Sequence, residues 1–146
     1  MKLASSTDFA FRLLIHVSLQ DGKLVTIQEV ADAFSLSYHH LTKISQLLIQ
    51  NGVLEAQRGR GGGIRLAKPA DEIHLDEIVL LSEPDPELVN CDGGLAGPCK
   101  IVPVCRLRGI FTEARSAFLE VLKRYSLADV IGAPSLQKKL RQLLDQ

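Results

Sequence analysis

Between Thr26 and Leu66 the spacing of apolar side chains passes from a helical period to a strand period, and that order restricts the fold sharply. Thr26-Ile27-Gln28-Glu29 is a capping box, in which hydroxyl and carboxylate each satisfy an orphan amide at a helix start. The helix it opens runs to about Phe34, with Val30, Ala31 and Phe34 inward. Ser35-Leu36-Ser37 breaks the pattern, and a further helix carries Leu41, Ile44, Leu47 and Leu48 to a stop at Asn51-Gly52. Two short strands follow, 53–56 and 63–66, around the Gly-rich basic tip Gln57-Arg58-Gly59-Arg60-Gly61-Gly62. Two helices around a tight turn, then a hairpin, read as a winged helix-turn-helix. An amphipathic helix precedes them, with Ala10, Leu13, Leu14 and Val17 inward, candidate caps at Ser5-Ser6-Thr7 and a stop at Asp21-Gly22.

The expected fold class is mainly α with a small β-wing: a winged helix-turn-helix domain plus a long dimerisation helix. We place that domain at 1–80, with the helix-turn-helix at about 28–51, the wing at about 53–67, and a short helix at 75–81. A loop rich in Pro, Gly and Cys occupies 81–106, a dimerisation helix region 107–133, and an amphipathic tail 134–146. Leu107, Ile110, Phe111, Ala114, Phe118, Val121, Leu122 and Tyr125 form one stripe on the long helix. A seam of that kind usually packs against a partner helix, often a second copy, which predicts a homodimer.

Net charge is zero, but residues 37–68 hold Lys43, Arg58, Arg60, Arg65 and Lys68 against Glu55 alone, whereas 69–92 hold eight acids and no Lys or Arg. A basic reader followed by an acidic segment points to double-stranded DNA as partner. With Ser37 as cap, Tyr38, His39, Thr42 and Lys43 lie on the outer face of the recognition helix near its N-terminal end, which enters the major groove. Arg58, Arg60 and Arg65 supply wing cations, and Gly61 and Gly62 offer amides that can approach phosphate without a Cβ in the way. No signal peptide or apolar run of transmembrane length is visible, so a cytoplasmic protein without a membrane role is expected. No nucleophile–base pair suggests an enzyme.

All three cysteines, Cys91, Cys99 and Cys105, stand in one stretch with three Gly and two Pro. Their gaps of seven and five residues match neither paired zinc knuckles nor ferredoxin spacing. Thiolates suit an iron–sulfur cluster, zinc or copper(I), and the loop alone leaves a cluster, zinc and inert thiols open. A zinc-stabilised interaction module and a cluster carrier are the rival readings.

Met1-Lys2-Leu3 with Thr7-Asp8-Phe9-Ala10, the wing text Arg58 to Pro69, and three cysteines before a long helix resemble Rrf-type iron–sulfur transcriptional regulators over residues 1 to about 130. Within that family the likeness is strongest to the nitric-oxide-sensing repressors, although the seven-residue gap is longer than usual there. The resemblance implies a homodimer on a palindromic operator, with Cys91, Cys99 and Cys105 as thiolate ligands of a cluster. It favours [4Fe-4S], with [2Fe-2S] as the alternative, and makes 81–106 a cluster-binding loop. Asp8 would be the fourth ligand, from the other subunit; read alone, it is an acid in a first helical turn paired with Arg12. His16, two turns on, is an alternative ligand, more simply a partly buried helix histidine. A redox or cluster-status sensor is the neighbouring function within the family.

Overall fold

The structure, a computed structural model, describes residues 2–83, 87–89, 91 and 98–144. Among them are seven α-helices, α1 (Ser5–Ser18), α2 (Ile27–Phe34), α3 (Tyr38–Gln50), α4 (Leu75–Ser82), α5 (Arg106–Lys123), α6 (Leu127–Ile131) and α7 (Pro134–Leu144). One antiparallel hairpin, β1 (Leu54–Gln57) and β2 (Gly63–Leu66), completes the set. The mainly α fold with a small β-wing is as expected.

Local chemistry accounts for most boundaries. The Thr26–Glu29 capping box forms, and α2 ends at Ser35, whose left-handed φ of 52° lets the Leu36 amide return to the Ala31 carbonyl at 2.9 Å. Two caps differ from expectation. α1 starts at Ser5 with Ala4 as N-cap, so Ser5, Ser6 and Thr7 lie inside its first turn. Ser37 holds the N-cap position of α3, but its side chain makes no cap hydrogen bond.

The hairpin pairs Leu54 with Leu66, Glu55 with Arg65, Ala56 with Ile64 and Gln57 with Gly63. Val25 docks on its far side through paired bonds with Ile64 of 2.9 and 2.8 Å. That approach requires glycine next door: a Cβ on Gly63 would stand 2.6 Å from the Val25 carbonyl oxygen.

Leu13, Leu14, Leu41, Leu48, Leu54, Ile73, Ile78 and Leu127 are wholly buried in one core joining α1, α3, the wing, α4 and α6. The presence of Leu127 there revises the reading of 107–133 as one dimerisation region. α5 stops at Lys123, and a second capping box, Ser126 with Asp129, starts α6. The Leu75 amide donates to Tyr125 O (3.1 Å) and the Leu127 amide to Ile73 O (2.8 Å), rooting the chain against the start of α4. Among the described residues no helix is long and apolar enough to cross a membrane.

Candidate nucleic-acid interface and cysteine segment

The recognition helix presents Tyr38, His39 and Lys43 to solvent at its N-terminal end. Thr42 differs: it is half-buried, and its hydroxyl donates to the Tyr38 carbonyl at 2.8 Å, so that donor is turned back onto the helix. Behind this face the His40 ring lies 6.1 Å from His39 and 6.2 Å from Phe9 of α1. The Arg12 guanidinium sits 5.8 Å from the centre of the Phe34 ring, joining α1 to α2 as well.

At the wing, Arg58 and Arg60 are exposed on a turn where Gly59 and Gly61 take φ of 102° and 76°. A Cβ on Gly61 would meet nothing within 4 Å. Gly62 is not available as expected: its amide already donates to Gly59 O at 2.9 Å, and a Cβ there would meet Gln57 O at 2.3 Å. Its missing side chain closes the turn rather than admitting a phosphate. Arg65 makes a cross-strand ion pair with Glu55, both side chains half-exposed, whereas Arg58 and Arg60 stand exposed at the tip.

Residues 84–86, 90 and 92–97 of the cysteine loop lie outside the described residues. The ends of the loop are drawn together, because the Cys99 amide donates to Cys91 O at 3.0 Å. A 3-10 turn at Val102–Val104 then leads to Cys105, the N-cap of α5. Cys99 is exposed, while Cys91 and Cys105 are half-buried. Among the described residues no three His, Cys, Asp or Glu side chains of the single chain gather closely enough to hold a metal ion.

Asp8 lies on α1, half-exposed, its carboxylate 3.1 Å from Arg12. Exposed i,i+4 pairs of this kind contribute only about 0.3–0.5 kcal/mol, so the carboxylate can exchange partners at little cost. His16 is buried beside Phe34, with ring centres 6.2 Å apart, in keeping with a helix histidine.

One participant gave no sign of itself in the sequence. Glu83, at the end of α4, accepts hydrogen bonds from the Ala4 amide and the Thr7 hydroxyl, 79 and 76 positions away. No periodicity or spacing connects those residues.

The apolar stripe of α5 is partly uncovered. Leu107 and Ile110 are 53% and 60% exposed, and Val104 just before the helix is 82% exposed. A groove of about 650 Å³ runs between the N-terminal segment, α4 and α5, lined by Leu3, Val79, Leu80, Leu88, Phe111 and Phe118 among others.

Residues 3–133 match the Rrf2 family, described as iron-dependent transcriptional regulators. The chain belongs to the Rrf2 family. Its relatives include the HTH-type transcriptional regulator NsrR of Shouchella clausii, 42% identical over 132 residues, covering 90% of this chain and 89% of that protein. NsrR of Bacillus subtilis is 39% identical over 132 residues, covering 90% of each. Among solved structures, CymR, the global cysteine regulator of B. subtilis, superposes with a TM-score of 0.67 at 21% identity, covering 89% of this chain and 95% of that one. T. potens IscR gives 0.67 at 20% identity, covering 90% and 86%. Those two likenesses concern the winged-helix fold. An Rrf2 chain of this kind is a DNA-binding transcriptional regulator and not an enzyme.

Proposed function

We propose that this Rrf2 regulator is a homodimeric, iron–sulfur-containing repressor that holds a palindromic operator while its cluster is intact and releases it on meeting nitric oxide. The observation that carries this reading is the placement of the cysteines at the head of α5, with the Cys99 amide bonded to Cys91 O and Cys105 at the N-cap position of the helix. The donor chemistry fits: three soft thiols from one chain suit cluster iron, and a helix N-terminus favours negative charge beside it. Three thiols leave one iron to another ligand, and Asp8 from a second copy is the weak, hard donor we assign. The choice of [4Fe-4S] and of nitric oxide as signal rests on the resemblance described above.

A bound cluster supplies iron that nitric oxide can attack where thiolate ligation is incomplete. The protein's part is mechanical. Asp8 belongs to α1, and α1 packs on α3 through Phe9 and His40. Ligation by Asp8 and the position of the recognition helix are therefore one coupled equilibrium. The uncovered face of α5 supports a second copy as the partner that closes the ligand set.

Anaerobically purified protein should be coloured, and a duplex selected from a random pool should bind the coloured form. Titration with nitric oxide should bleach the absorption and release the duplex together. Tight binding that persists after complete bleaching overturns the mechanism. Colourless protein with stoichiometric zinc replaces the cluster with a structural metal, and bleaching by mild oxidants alone reassigns the signal to redox state.

A further inference from the structure

We infer that Glu83 is a positioning residue that yokes the cysteine segment to α1, an inference that rests on the reading of Cys91, Cys99, Cys105 and Asp8 as sensing ligands. Glu83 is the C-cap of α4, where its amide donates to Val79 O at 2.9 Å, and it precedes Cys91 by eight positions in the sequence. Its carboxylate reaches back to the first turn of α1. Oε1 and Oε2 accept from the Ala4 amide at 3.3 and 3.1 Å, and Oε2 also accepts from the Thr7 hydroxyl at 2.9 Å.

Three features make this more than a surface contact. Ala4 is the N-cap of α1 and has no polar side chain, and its own amide is satisfied by Glu83, the bond that the carboxylate of a capping box makes, here from 79 positions away. Charge-assisted bonds to a helix N-terminus are stronger than neutral ones and also gain from the helix dipole. Thr7 is fully buried, so its hydroxyl has no water to turn to if the carboxylate leaves.

The placement of the clamp gives it a role. Thr7 directly precedes Asp8, and Phe9 beyond it meets His40 of the recognition helix. A carboxylate gripping this turn from the root of the cysteine segment makes the two segments order and loosen together. A rigid core contact elsewhere in α1 would not do so.

The test uses the full chain with Glu83→Ala, Glu83→Gln and Thr7→Val. In metal-free protein, amide exchange at Ala4, Thr7 and Asp8 should quicken about tenfold in Glu83→Ala, with exchange at Cys91 and Cys99 rising in step. Glu83→Gln keeps the length and one oxygen acceptor and should recover part of the protection; it also carries the test if the alanine variant folds poorly. In iron-loaded protein with undiminished visible absorption, the ratio of loaded to unloaded DNA affinity should fall at least about fivefold in Glu83→Ala and Thr7→Val. Faster exchange confined to α1, or an unchanged affinity ratio at full absorption, overturns the yoke. Wild-type protein that takes up no iron defeats the ligand reading instead. Paired or unpaired exchange at Ala4 and Cys99 then upholds or overturns the yoke by itself.

Discussion

Arg141 holds Asp21 across 120 positions of sequence, its Nη2 lying 3.0 and 3.1 Å from the two carboxylate oxygens while Nε donates to Leu19 O at 2.7 Å. α7 is thereby fastened to the turn between α1 and α2. The match to the family model spans residues 3–133 and ends just before this helix.

Arg141→Ala should therefore release α7 and little else. Asp21 is 76% exposed, so solvent screens the ion pair and the bond to Leu19 O dominates. We expect a loss of about 1 kcal/mol in urea unfolding. Limited proteolysis between α6 and α7 should quicken, and DNA binding should be kept. Unchanged proteolysis would show that Leu140 and its neighbours hold the helix without the arginine.

Leu127→Ala should be far more damaging. The side chain is wholly buried beside Ile73 and Ile78, and cavities of that kind cost about 2–5 kcal/mol. The whole DNA-binding core should lose stability in one transition, seen as a lower urea midpoint at constant slope. A variant that loosens only residues after 106 would place α6 outside the core.

The capping boxes predict an acid-side loss of stability. The Thr26 amide and hydroxyl hold Glu29 below its ordinary pKa, and Ser126 does the same for Asp129. Depressed folded values mean that the stabilisation is present above the ordinary carboxylate range, about pH 4, and is lost as pH falls through the lower folded values. The pair Glu29→Gln and Asp129→Asn should flatten the dependence of the urea midpoint on pH below about 4 and leave its shape near neutrality alone. An unaltered acid slope would assign the effect to other carboxylates.

Much of this was legible in the sequence because it is local. A capping box needs residues three apart, a wing needs Gly between two short strands, and both stood where expected. What was missed is long-range. Nothing near Ala4 announces that its amide is held by Glu83, and nothing near Leu127 announces that the chain returns to Ile73. The apolar stripe continued past Lys123 as a pattern, although the residues after it face a different neighbour. Gly62 and Thr42 show a related limit: residue type suggested free donors, and backbone geometry had already engaged them.

Arg60→Ala should weaken binding to every duplex alike. Removing one phosphate contact lowers the slope of log affinity against log salt by about one unit. A salt titration with specific and scrambled duplexes checks this, and a loss confined to the specific duplex would mean that Arg60 reads sequence.

The rooting of α5 at one end has a mechanical consequence. His74 Nδ1 lies 3.1 Å from Lys123 O and Tyr125 bonds to Leu75, so the C-terminal end is fixed, whereas Cys105 sits at the other end among exposed residues. The 18 residues between make an arm of about 27 Å. A 1 Å displacement at Cys105 swings it by only about two degrees. Small changes at the cysteines are thus geared down towards the pivot, and the free tip, where Leu107 and Ile110 stand exposed, travels furthest.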